Sequence, residues 1–296
     1  MRQCIDSDDL AGEVRMSRSL DPRAVLIVEG ATDARFFDRF VDHENCYVLA
    51  AHDRQRAVGV LRVLNALPVS GILAIVDADF GRITGALEND PNLLFCDGHD
   101  LEIMLIRSTA LERVVLEHAS ETKLSALLAT RKPQVLIANL LAHACSPLGA
   151  FLMISLRQDL GLKFEDLTFK DFVDRESLEI DLACLVRSVL NKSSRHDAQL
   201  PIQLEQEISA VLSEATQIWE LARGHDCVEL LEFALRSTIG TKKSKTDDRK
   251  PIPVNTELLE RELRLAFSEA DFSATLLFQG IQAWESASGD YRVMLR

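Results

Sequence analysis

The chain has 296 residues, 47% hydrophobic and 27% charged, with 33 Lys and Arg against 46 Asp and Glu, a formal net charge of −13. That length suits two domains, or one domain with a large extension, and buries a real core without disulfides or a structural metal. The acidic balance excludes an overall basic nucleic-acid coat and a cationic membrane-surface protein; it leaves room for a local basic patch and for an acidic site that takes divalent cations.

Cys4, Cys46, Cys96, Cys145, Cys184 and Cys227 are scattered along the chain with no C-x-x-C pair. They read as small apolar core residues of a reducing compartment rather than as a zinc site. The first twenty residues are acidic and lack an apolar signal core. No run approaches the length of a membrane span. These features predict a soluble, cytoplasmic protein.

The first strong pattern is Ala24–Glu29, AVLIVE, short, apolar and β-branched, as a strand buried on both faces requires. Gly30 follows, and ARFFDRFVD then spaces its apolar residues as a helix does. Cys46–Ala51 predicts a second strand, and Asp53–Leu67 a second helix with Val58, Leu61, Leu64 and Leu67 on one face. Gly71–Val76 predicts a third strand that runs into Asp77-Ala78-Asp79, and Leu93–Cys96 a fourth that ends at Asp97. The order β-α-β-α-β-loop-β predicts an α/β fold with a parallel, doubly wound sheet flanked by helices. Beyond residue 100 the pattern turns helical, over 101–118, 121–130, 134–158, 178–190, 203–222, 226–238 and 256–268. Gly240–Val254, GTKKSKTDDRKPIPV, reads as a flexible loop. The expected organisation is a sheet domain over 20–118 and a mostly α-helical region over 119–296.

Ligands of open parallel sheets bind at the carboxyl ends of the strands. Those ends carry Glu29, Asp77, Asp79 and Asp97. If Asp77 continues the extended strand, Asp77 and Asp79 point to the same face. Several carboxylates brought together repel one another unless a positive charge sits among them. A set of oxygen donors selects a hard cation, Mg²⁺ or Mn²⁺.

Val28-Glu29-Gly30-Ala31-Thr32-Asp33 followed by Ile75-Val76-Asp77-Ala78-Asp79-Phe80 resembles the Toprim domain of topoisomerases, primases and OLD-type nucleases. The E-G-x-x-D-x-x-F-F opening and Asp97-Gly98-His99-Asp100-Leu101-Glu102 are similar to the compact Toprim/OLD-like family of bacterial anti-phage defence, nearest the Toprim effector subunit of the PARIS system. The resemblance covers about residues 22–118. It implies Glu29 as general acid/base or metal ligand and Asp77 and Asp79 as Mg²⁺ ligands. It also implies metal-assisted phosphodiester cleavage in RNA such as tRNA, or in DNA, by a toxic effector. An ABC-type ATPase on another chain would control that effector, and family members are often homodimers. Asp100 and Glu102 are candidates for a second metal. On a helix they would lie about 200° apart, so only one would ligate, and Asp100 also suits a helix N-cap.

Asp33 reads as a helix cap or a residue supporting the metal ligands. His99 and His225 read as structural, and Asp226 with Glu229 as a capping box. The sharper reading places His225 over the metal site from the helical half, as a substrate contact. Lys242, Lys243, Lys245, Arg249 and Lys250 form the only basic cluster, a solvated loop or a set of phosphate contacts. The main alternative to a nuclease is a non-catalytic regulatory or scaffold subunit of an ATPase complex. No Walker A sequence is present.

Overall fold

The structure, a computed structural model, describes residues 6–129, 136–195, 199–214, 217–241 and 254–295. In chain order it runs α1 (Ser7–Ser17), β1 (Ala24–Val28), α2 (Ala31–Phe37), β2 (Cys46–Ala50), α3 (Arg54–Asn65), β3 (Ile72–Val76), α4 (Gly81–Thr84), β4 (Leu93–Phe95) and α5 (Leu101–Ile106). Then follow α6 (Thr109–His118), α7 (Glu121–Ala129), α8 (Ile137–Arg157), α9 (Leu182–Lys192), α10 (Leu200–Glu214) and α11 (Ile218–Leu221). The last elements are α12 (Gly224–Ser237), α13 (Thr256–Ala266), α14 (Glu269–Ser273) and α15 (Leu276–Ala287).

The chain divides into two compact units, Met1–Leu101 with Ser268–Arg296, and Glu102–Phe267. This division differs from the one expected at 118/119, because the last thirty or so residues pack with the sheet. The reason is aromatic. Phe272 is buried, and its ring meets those of Phe40 at 4.7 Å, Phe278 at 5.4 Å and Phe36 at 6.4 Å. The Trp284 indole N–H donates to Asn92 Oδ1 at 2.8 Å, and Leu295 N–H to the Phe40 carbonyl at 2.9 Å. Apart from Phe272–Phe278 these partners lie far apart in sequence, so no local pattern announces them.

In the first unit four parallel strands form one sheet in the order β2-β1-β3-β4. β1 and β3 are apolar at every position, rich in β-branched residues and fully buried, as the two central strands must be. Val25, Ile27, Ile72, Ala74 and Val76 share one core with Val58, Leu61 and Leu64 of α3 and with Leu10 and Val14 of α1. Leu26, Val28, Leu73 and Ile75 alternate to the other face and are also buried.

The second unit is helical. The expected helix over 101–118 is two, α5 and α6, because the Ser108 hydroxyl caps a new start by accepting the Ala110 N–H at 3.1 Å. The segment 203–222 likewise divides into α10 and α11. α8 is the element that the expectation of no membrane-length segment missed. By length and composition its 21 residues could cross a membrane, yet most of them are buried within the unit. At Gly149 of α8 a Cβ would collide with the Leu221 carbonyl, so only glycine permits that close approach of α8 and α11.

The five described cysteines are all free thiols, four of them buried, as their scatter predicts.

Phe272→Ala should destabilise the protein by about 3–5 kcal/mol, the usual cost of deleting a buried aromatic ring. Denaturant unfolding read by tryptophan fluorescence measures this. A loss within 0.5 kcal/mol, the scale of a surface change, would show that the C-terminal helices do not support the sheet.

Candidate functional site

The strand register builds the site. Val28 pairs with Ala50 on one side and with Ile75 on the other, and Val76 pairs with Phe95. The strands therefore end level, and the residues that follow them emerge along one edge. The chain leaves β1 toward β2 by one crossover, and β3 lies on β1's other side. That reversal is the switch point where open parallel sheets bind ligands.

Glu29 follows β1 and is half-buried. Its Oε1 accepts the Asp77 N–H at 2.8 Å, which ties the end of β1 to the end of β3. Burial pushes its carboxyl up to about 7; the negative charges of Asp33 and Asp79 add to the rise, while the Asp77 N–H and Arg54 oppose it.

Asp77 faces two ways. Its N–H holds Glu29, and its Oδ1 accepts the Leu101 N–H at 3.0 Å at the start of α5. Asp79 does not continue the strand. β3 ends at Val76 and Asp79 has φ +47°, in the left-handed region, so the extended alternation expected for the Asp77–Asp79 pair is absent. The Asp79 N–H donates to the His99 carbonyl at 2.8 Å, which fixes this turn to the one after β4. Its Oδ2 meets Arg54 Nη1 at 3.1 Å.

Arg54 is the residue that the sequence reading passed over. It opens α3 just beyond β2, after the N-cap Asp53, whose Oδ1 accepts the Arg56 N–H at 2.8 Å. From there its side chain crosses the end of β1 to reach Asp79 beyond β3. An inventory of every charged residue at a strand's carboxyl end, cations included, finds it.

The remaining candidates separate. Asp33 Oδ2 accepts the Gly30 N–H at 2.8 Å, so it closes the first turn of α2, a cap reached from inside the helix. Asp97 accepts the Leu276 and Leu277 N–H groups, each at 2.8 Å, and thereby caps α15 from the end of β4. His99 is buried, its ring edge-on to Phe80 with centroids 4.7 Å apart. Asp100 lies in the turn before α5, with Asp77 taking the helix's first N–H.

Glu102 belongs to the helical unit, where its Oε1 lies 3.7 Å from Arg264 Nη1. His225 is there too, with Nδ1 2.9 Å from Glu260 and Nε2 3.4 Å from Glu229. Those two glutamates raise it to about 10, so the imidazolium stays protonated at neutral pH. Asp226 is not the N-cap of α12; it sits inside the first turn, buried, gripped by the Arg223 guanidinium at 2.6 and 2.7 Å. Lys242, Lys243, Lys245, Arg249 and Lys250 lie outside the described residues.

The donor set at the strand ends is thus Glu29, Asp77 and Asp79, all oxygen, with one guanidinium beside it. That chemistry fits a hard cation. In this conformation an oxygen each of Glu29 and Asp77 holds a backbone N–H and Asp79 holds Arg54. Among the described residues no three His, Cys, Asp or Glu side chains are drawn together as a closed ligand group. A comparison with protein-family models gives no match, and neither does a comparison with curated proteins.

A carboxyl raised from 4.5 to about 7 favours the folded state most below pH 4.5, and that contribution disappears as pH climbs through 7. Glu29→Gln removes the late penalty. Without divalent cations, its melting temperature should match wild type at pH 4.5 and exceed it at pH 8. A difference between the two proteins that does not vary with pH would mean that Glu29 titrates normally.

Proposed function

We propose that the chain is a Mg²⁺- or Mn²⁺-dependent Toprim-like nuclease that cleaves phosphodiester bonds in RNA such as tRNA, or in DNA. The observation that carries this reading is the placement of Glu29, Asp77 and Asp79 just after β1 and β3, at the switch-point edge of an all-parallel β2-β1-β3-β4 sheet. The E-G and D-x-D motifs resemble those of Toprim domains, and they stand at the strand ends where that chemistry requires carboxylates.

Glu29, Asp77 and Asp79 would hold the cation. When bound, it supplies a positive charge beside the scissile phosphate and acidifies a water molecule. Glu29 supplies the proton acceptor. In the cation-free site its carboxyl is raised to about 7; a cation held beside it would lower this and keep it ionised, ready to accept a proton. The Asp77 N–H keeps that carboxylate aimed along the sheet edge, and the Asp79–His99 backbone bond keeps Asp79 beside it. The assignment as a toxic defence effector, the ABC-type ATPase partner and the homodimer belong to this reading through the motif resemblance alone.

The test is cleavage by the purified protein of end-labelled tRNA, single-stranded DNA and duplex DNA. Activity should need Mg²⁺ or Mn²⁺ and cease in EDTA. Glu29→Gln should keep its circular dichroism spectrum and lose about 10²–10⁴ in rate. Asp33→Asn should stay within a few-fold, since an amide oxygen also accepts the Gly30 N–H. Wild-type cleavage by folded Glu29→Gln would overturn the mechanism.

A further inference from the structure

Arg54 is placed oddly for a residue that only neutralises Asp79. It starts from the outer strand's side of the sheet, beside β2, and passes over the end of β1 to reach a carboxylate beyond β3. Its charge is felt at Glu29 as well. Asp79, its partner, is half-exposed, so the contact lies at the mouth of the site and not in the core. A guanidinium carries five N–H donors in a planar fork. Here Nη1 is engaged by Asp79, while Nε is buried with no acceptor among the described residues. With Nε covered, the exposed third of the side chain is what an arriving acceptor meets.

The neighbouring arginine on the same helix is a useful contrast. Arg56 pairs at 3.3 Å with Asp53, the residue that caps its own helix, and serves α3 locally. Arg54 instead sits beside the carboxylates that would hold the cation, and a planar fork matches the oxygens of a phosphate.

We propose that Arg54 is the substrate-anchoring residue of this site, binding a non-bridging phosphate oxygen of the nucleic-acid backbone beside the scissile bond. The inference rests on the nuclease reading and deepens it. It assigns the site's phosphate contact to the start of α3. Because the contact is to the backbone, it favours no base sequence, and it accepts RNA and DNA alike.

The experiment measures binding, not turnover. All proteins carry Glu29→Gln so that no probe is cut, and Mg²⁺ is present. The probes are a short fluorescein-labelled single-stranded RNA and the DNA of the same sequence, and anisotropy is followed across a salt series. Adding Arg54→Gln should weaken binding of both probes roughly tenfold, the loss of one charge-assisted contact. It should also flatten the slope of log affinity against log salt by about 0.7, one phosphate's worth for a single strand. Arg54→Lys should keep the slope, since the charge remains, with weaker affinity than arginine. Arg56→Gln removes an equal charge from the same helix and should leave affinity within about twofold, the residue being screened and locally paired.

Unchanged affinity and slope in Arg54→Gln would overturn the proposal and leave Arg54 as a partner of Asp79 alone. An equal loss in Arg56→Gln would overturn it too, by showing a net-charge effect. A Glu29→Gln protein that binds neither probe would also refute it, and the cleavage assay would then decide separately whether the nuclease reading survives.

Discussion

One hydrogen bond sets the geometry of the sheet edge, the Asp77 N–H to Glu29 Oε1 contact across the ends of β1 and β3. It exists because the two central strands pair in parallel and in level register, so that Val28 faces Ile75 and the next polar groups meet. The bond fixes a carboxylate in a place where ionisation is unfavourable. Burial and two neighbouring carboxylates lift it from 4.5 to about 7, a cost on the order of 3 kcal/mol for carrying charge at high pH. The fold maintains that tension through its core: β1 and β3 are wholly buried, and the packing of α3 and α1 on one face keeps the register from slipping.

The same edge also joins the secondary structure together. Asp77 caps α5, Asp97 caps α15, and Asp33 closes the first turn of α2. Each of these carboxylates satisfies backbone donors that would otherwise lack partners at a helix start. Of the acidic residues at the edge, Asp97 and Asp33 are thereby committed to structure. Glu29 and Asp79 are joined instead to the Asp77 N–H and to Arg54, and the proposed cation site takes these two together with Asp77. The division follows from which helix begins nearest to each strand end.

Much of this was legible in the sequence. The four strands are local signals, short apolar runs between helical spacings, and they fall within a residue or so of expectation. The acidic residues after β1 and β3 were legible because a parallel sheet presents its strand ends together. What the sequence did not carry was pairing at a distance. Asp97 finds its helix 179 residues away, and Arg54 finds Asp79 25 residues away across an intervening strand. The left-handed Asp79 was hidden for a different reason. Its conformation is held by the His99 carbonyl, a contact between two turns that no periodicity encodes. The return of α14 and α15 to the sheet unit depends on aromatic rings gathered from both ends of the chain. Glu102 and His225, both site candidates from the sequence, instead pair with Arg264 and with two glutamates in the helical unit.

The central claim is that the carboxylates at this sheet edge form a divalent-cation site, and Mn²⁺ binding followed by electron paramagnetic resonance at pH 8 tests it most directly. The account predicts saturable binding by the wild-type protein, lost when Asp77 and Asp79 are both changed to Asn, with the fold intact by circular dichroism. Equal Mn²⁺ binding by the wild type and the double variant, or none by either, would contradict it.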